Sequence, residues 1–383
     1  MRRALVLNAE RRQALAAIRS LGRQGIAVTA MAEQRFTAGG LSKYTERSIR
    51  YPNPRDHEAA FLDVLLDELQ RREYDLLLAG NNQTVVPVVE SRDRLEPYVT
   101  VPHPEYATLM RGLDKGRTMM AAREAGIPHP TTLTPDELDL DAVESALDYP
   151  VVVKPRTAAG RQGVSVCDSA AELERVYERT RRQHGPLLVQ EFIPNGGECG
   201  VYVLYDGDSE RRAHVVQRRL RTVPPEGGLS TYRETFESPE LVSLADDFLS
   251  ALDWTGVAHV EFRIDPRNGE PKLIEINPHF WHSLPHAIAS GVDFPYLLYQ
   301  LAVEGECETV EGYQVGVRSQ WLIGELAHVL ASENALEAGR GVVRAAATNR
   351  NYDIASASDP LAMGGSLLGE GYNFVKRRLP KPL

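Results

Sequence analysis

Val260-Glu261-Phe262-Arg263-Ile264-Asp265 and, beyond Arg267-Asn268-Gly269, Leu273-Ile274-Glu275-Ile276-Asn277-Pro278 form two short apolar runs, each with a carboxylate inside it. An Asn-Gly between two such runs is a hairpin signal. A period of two puts Glu275 and Asn277 on one face of the second strand. Carboxylate and amide oxygens are ligands that Mg²⁺ takes alongside the oxygens of a nucleotide phosphate. The plainer alternative is a half-exposed hairpin with polar outer positions, and register separates the two. A three-residue loop with Gly269 left-handed, or a bulge, sets Glu261 opposite Glu275 on one face. A plain Asn268-Gly269 turn pairs Glu261 with Ile276 and points the acids apart.

Upstream, Tyr149-Pro150-Val151-Val152-Val153-Lys154-Pro155 delivers a lysine at the end of a buried strand. Thr157-Ala158-Ala159-Gly160-Arg161-Gln162-Gly163-Val164 follows as a loop of small residues, whose backbone N–H groups can approach phosphate oxygens closely. Alone, a strand-end lysine and a glycine turn are more often structural. Leu188-Val189-Gln190-Glu191-Phe192-Ile193-Pro194 is a further strand, and Glu198 beyond it suits the hydroxyls of a ribose. In isolation Glu198 reads equally well as a loop glutamate.

The first ~110 residues alternate strand and helix: Ala4–Leu7, a helix through Leu15, Ile18 and Leu21, Ile26–Ala30, a helix through Phe61 and Leu69, then Asp75–Ala79 closed by Gly80-Asn81-Asn82. This predicts a parallel α/β unit. No GxGxxG follows the first strand, which weakens a dinucleotide reading. Asp114 is placed to cap a helix from Lys115 to about Ala125, with Gly126 just past its end. After Val310, Trp321–Ala331 reads as helix and gives way to a less periodic tail.

A net charge of -10 argues against a nucleic-acid partner, which would need a basic face. Cys167, Cys199 and Cys307 form no CxxC pair and read as reduced thiols. The apolar run after Arg2-Arg3 is too short for a signal or a span, so a cytoplasmic protein with no membrane contact is expected. His282 and His286 have a metal-pair spacing without a third ligand, so no zinc site is expected. Only six lysines stand among 43 basic residues, and Lys115 and Lys154 are two of them.

Taken in order, these motifs resemble the ATP-grasp superfamily: Lys115 ahead of the first strand, Lys154 on it, the glycine loop, V-Q-E-F-I with an acid after it, then E-F-R-I-D and L-I-E-I-N-P. Within it, Gln217-Arg218-Arg219-Leu220, Pro225 with Gly227-Gly228-Leu229-Ser230, and Asn277-Pro278-His279-Phe280-Trp281 are similar to carbamoyl-phosphate-synthase-like carboxylate–amine ligases. The resemblance implies a fold of α/β and α+β parts. A preATP-grasp parallel α/β domain would occupy residues 1–112 and a two-lobed ATP-grasp domain 113–305, its small lid lobe to about 192 and its large lobe from about 193. A C-terminal helical extension would occupy 306–383.

It further implies ATP and Mg²⁺ (or Mn²⁺) as cofactors, small-molecule carboxylate and amine substrates, and a homodimer as an open assembly. Lys115 and Lys154 would contact phosphates under a lid of Gly160, Arg161, Gln162, Gly163 and Val164. Gln190, Glu191, Phe192 and Ile193 would border adenine, and Glu198 would hold ribose. Glu261, Glu275 and Asn277 would hold the metal, while Arg218, Arg219 and His279 would serve catalysis. The family commonly carries arginine where this chain has His279, and relatives often carry more glycine in the lid. The resemblance implies an acyl-phosphate ligase releasing ADP and phosphate. A bicarbonate-activating carboxylase or carbamoyl-phosphate-like enzyme, and a nucleotide-sensing module, remain the alternatives.

Overall fold

The computed structural model describes residues 2–136, 138–158 and 162–378, with side chains up to 369. The N-terminal sheet is parallel: β1 (Arg3–Val6), β2 (Ala27–Ala32), β3 (Thr45–Arg50) and β4 (Leu76–Leu78) lie in the order β3-β2-β1-β4. The largely buried β2 and β1 take the interior, the alternating, polar β3 takes one edge, and the apolar β4 takes the other, where Leu76 bridges to Thr100. Helix Arg12–Arg23 covers one face through Ile18 and Leu21. It runs close because Gly22 lacks a Cβ, which would sit 2.6 Å from Tyr44 Cβ. Helices Glu58–Arg71 and Asn82–Glu90 cover the other face.

A second, antiparallel sheet holds β5 (Thr132–Leu133), β6 (Val151–Pro155), β7 (Ser165–Cys167) and β8 (Leu187–Glu191) in the order β5-β8-β6-β7. Helix Ala170–His184 packs Leu173, Val176 and Tyr177 onto it.

The third sheet is built from β9 (Glu198–Tyr205), β10 (Arg211–Val223), β11 (Leu229–Thr235), β12 (Gly256–Ile264), β13 (Pro271–Asn277), β14 (Arg318–Gln320) and β15 (Asn351–Tyr352). Their order is β13-β12-β9-β10-β11-β14-β15. Val201, Val203, Val216, Ala258, Val260, Phe262 and Leu273 fill its apolar face beneath helix Pro239–Ser250. Alternation sends Glu198, Tyr202, Arg219, His259, Glu261 and Asn277 to the other face, toward the N-terminal unit. Residues 306–378 carry helices Leu322–Ala331, Ala335–Thr348 and Pro360–Arg378 and supply β14 and β15 to this sheet. Among the described residues no helix is long and apolar enough to cross a membrane.

Candidate functional site

Glu261 lies directly opposite Glu275, and His259 opposite Asn277. Directly opposed residues share a face, so both acids and the amide project together. Of the two devices that the sequence left open, a three-residue loop or a bulge, the bulge sets the phase. Pairing slips by one between Glu261 and Phe262, leaving Ile274 as the extra residue, while Asp265 N–H donates to the Glu270 carbonyl around a four-residue loop. Gly269 is left-handed at φ 79°, and its N–H donates to the Asp265 carbonyl.

Lys115 opens helix Lys115–Glu124, capped by the Asp114 carboxylate, which accepts from the N–H groups of Gly116 and Arg117. The same carboxylate accepts from Arg156 Nε at 2.9 Å, and Lys115 N–H donates to the Arg156 carbonyl, stitching the helix start to the end of β6. Lys115 Nζ stands 3.3 Å from Glu275 Oε2 and donates to the Ala158 carbonyl. Lys154 is buried at the end of β6 and has no hydrogen-bond or ion-pair partner among the described residues. Burial, with Lys115 adding repulsion, brings its ammonium down to about 7.

Arg219 holds the acids' other flank. It donates to Glu198 Oε2 at 2.7 Å and lies 2.6 Å from Glu261 Oε2. Arg263 donates to the remaining Glu198 oxygen at 2.7 Å and to the Ile193 carbonyl. Burial opposes ionisation of Glu198, but the two arginines together hold its carboxyl below the usual range. Burial drives the Glu261 carboxyl upward against the pull of Arg219, and Glu275 adds repulsion; at Glu275, Lys115 and Lys154 outweigh burial and hold the carboxyl low.

Arg218 does not join this group. It sits on the apolar face of the sheet, where it pairs with Glu234 at 2.6 Å and lies over Phe236. That face also carries a cavity of about 270 Å³ lined by Cys199, Arg218 and Phe236. Arg221 leaves too, because a register slip between Arg219 and Arg221 places it opposite Tyr232, over whose ring it lies, and it pairs with Glu325.

His279 is buried, with Nε2 2.9 Å from Asn82 Oδ1 and Nδ1 2.9 Å from the Phe280 carbonyl oxygen. Burial lowers its pKa, so it stands as a neutral link to the N-terminal unit and not as a replacement for a fixed cation. His259 stacks on Tyr202 with ring centroids 4.3 Å apart, and burial pushes it down to about 3. Gly200 makes this stack possible: a Cβ there would meet His259 Nε2 at 2.6 Å.

Of the adenine-border residues, Gln190 donates to Thr132 Oγ1 at 2.7 Å, Glu191 pairs with Arg267 at 2.6 Å, Phe192 is half-buried and Ile193 is buried. Gly160 and Arg161 lie outside the described residues. Gln162 is exposed, and Gly163 is left-handed at φ 71° before the half-buried Val164. Sequence reasoning missed Arg263 and Asn82 as site residues. The first lay in a quoted strand without a role, and the second in the strand-closing Gly80-Asn81-Asn82.

Residues 113–283 match the family described as ATP-grasp domain. The chain is 24% identical over 248 residues to the D-aspartate ligase of Enterococcus faecium, a match covering 58% of this chain and 58% of that protein. It is 31% identical over 210 residues to the D-alanine–D-alanine ligase of Methylococcus capsulatus, covering 49% of this chain and 65% of that protein. The chain thus spans less than two thirds of these curated relatives. A solved biotin carboxylase from Campylobacter jejuni shares the fold, with a TM-score of 0.68 at 18% identity over 82% of this chain and 74% of that one.

Proposed function

Because residues 113–283 form an ATP-grasp domain, we propose that this chain is a Mg²⁺-ATP-dependent ligase that activates a carboxylate as an acyl phosphate and transfers it to an amine. One observation carries the reading: Glu261 faces Glu275, with Asn277 on the same face and Lys115 beside them.

Two half-buried carboxylates in opposed positions repel each other, and a divalent cation between them relieves that repulsion, so the donor set suits Mg²⁺. Held by Glu261, Glu275 and Asn277, Mg²⁺ would neutralise charge on the phosphate oxygens. Lys115 and Lys154 add positive charge from the other side, and the phosphoryl group needs little from the protein beyond such positioning. A carboxylate oxygen displaces ADP from the γ-phosphorus, and the amine then displaces phosphate from the acyl carbon. No protein nucleophile is required.

The test supplies pooled carboxylates with hydroxylamine in place of the amine. ADP, phosphate and a hydroxamate are expected, all Mg²⁺-dependent. Hydroxamate with AMP and pyrophosphate would mean adenylation and overturn the mechanism. The fold likeness to a biotin carboxylase puts bicarbonate in the same panel. ADP release that needs bicarbonate and no other carboxylate would replace the ligase reading with carboxylation.

A further inference from the structure

An asparagine serves a cation only through its carbonyl oxygen, because the lone pair of an amide nitrogen is delocalised and its hydrogens repel the charge. Which end of the Asn277 amide is free for a ligand is therefore decided by what the other end meets. Asn277 Nδ2 donates to Glu275 Oε1 at 3.3 Å and lies 3.3 Å from Nδ1 of His259, the residue directly opposite it across the β12–β13 pair. Both amide hydrogens are thus engaged. Asn277 Oδ1 has no hydrogen-bond partner among the described residues.

The direction of the bond to His259 depends on the ring's tautomer, since a neutral imidazole offers one donor and one acceptor. His259 Nε2 is buried without a hydrogen-bond partner and stands 3.9 Å from Glu261 Oε2. A carboxylate oxygen on that side favours the proton on Nε2, which leaves Nδ1 to accept from the amide. The stack on Tyr202, 9° from parallel, and the close approach over Gly200 fix the plane of the ring. Glu275 Oε1 draws on the same amide, yet Glu275 is itself a proposed metal ligand. A carboxylate shared with a cation has less to give an N–H, and His259 is then the acceptor that remains for Asn277.

We propose that His259 is a positioning residue: by accepting from Asn277 Nδ2 it turns the amide oxygen, and not the N–H2 group, toward Mg²⁺. This rests on the ligase reading above and deepens it by one residue. A histidine that merely filled the space beside Tyr202 could be exchanged for any flat ring of similar size. That difference separates the two roles.

The test titrates Mn²⁺ into the full chain with ADP present and follows the free ion by electron paramagnetic resonance. His259→Phe keeps a flat ring on Tyr202 and deletes the acceptor, so it is expected to weaken Mn²⁺ binding about tenfold or more. His259→Asn gives up the ring but sets an amide oxygen where Nδ1 stands, and is expected to bind Mn²⁺ more tightly than His259→Phe. Adding Asn277→Asp to His259→Phe is expected to restore binding, because a carboxylate presents oxygen whichever way it is turned. Binding by His259→Phe as tight as that of the unmodified chain, or tighter than that of His259→Asn, overturns the proposal, and so does a failure of Asn277→Asp to restore it. Should a variant fail to fold, nitrogen NMR shifts of the His259 ring in the unmodified chain decide: a protonated Nε2 with a bare Nδ1 is expected, and a protonated Nδ1 overturns the role. Mn²⁺ binding that falls in His259→Phe, without ADP formation from any carboxylate–amine pair, sinks the ligase reading and leaves the positioning role standing. ADP formation with Mn²⁺ binding indifferent to His259→Phe does the reverse.

Discussion

Lys154 ends β6 with a buried ammonium whose nearest charges include another cation, Lys115. Its pKa is depressed from 10.5 to about 7, so the unfolded chain holds the extra proton between those values. Stability of the ligand-free protein therefore gains from Lys154 as pH rises through that window, the opposite of a paired lysine. A phosphate anion beside the amine reverses the balance by favouring its charged form. ATP binding at pH 8 should then take up a large fraction of one proton, seen as a dependence of the calorimetric heat on the buffer's ionisation enthalpy. Lys154→Met should abolish that dependence and cut turnover more than tenfold, about 1.4 kcal/mol of transition-state stabilisation. An unchanged buffer dependence in a folded variant would remove Lys154 from the phosphate site.

The β12–β13 hairpin puts its two acids at opposed positions, where the proposed Mg²⁺ would take both at once. Glu261→Gln and Glu275→Gln should each cut kcat/KM for ADP release about 100-fold, or about 2.7 kcal/mol, while the double variant loses little more. Costs that multiply would place the acids on independent ligands. The two strands were legible because each is a short apolar run, yet the bulge at Ile274 was not: an extra residue in such a run leaves no mark on its hydrophobicity. β3 was missed because Thr45-Glu46-Arg47-Ser48-Ile49-Arg50 has a single aliphatic residue. β11 was missed because Gly227-Gly228 made its start resemble a loop. β14 and β15 have three and two residues, too few for any period to register. Arg218 and Arg219 were read together as catalytic, but on an extended strand neighbours point opposite ways, so Arg219 meets Glu198 and Arg218 meets Glu234. The tie from Arg233 to Asp353 spans 120 residues, and no local pattern encodes it.

Across the whole molecule, the segment after residue 349 joins parts of the chain that share no strand. Through β15 it extends the third sheet, while Asp353 and Asp359 reach helix Arg12–Arg23 of the N-terminal unit. Arg12 and Arg19 are seven residues apart, two turns of one helical face, so the segment runs along that face. Asp359 Oδ2 accepts from Arg19 Nε at 2.8 Å and Ser42 Oγ at 2.7 Å, and Oδ1 accepts from Lys43 N–H at 2.9 Å. With the pair only 7% and 1% exposed, removing the carboxylate strands a buried guanidinium. Asp359→Asn should therefore lower stability by about 3 kcal/mol, whereas replacing both partners with apolar residues should recover part of the loss. Burial opposes ionisation of Asp359, but the Lys43 N–H, Arg19 and Ser42 together hold its pKa below the ordinary 3.8. A carboxyl lowered on folding stabilises above its unfolded pKa and loses that contribution as pH falls through the folded one. Thermal unfolding of Asp359→Asn and the unmodified chain should consequently differ most at neutral pH and converge as pH drops below 3.8. Equal melting at neutral pH would mean that the segment does not anchor the N-terminal unit to the sheet.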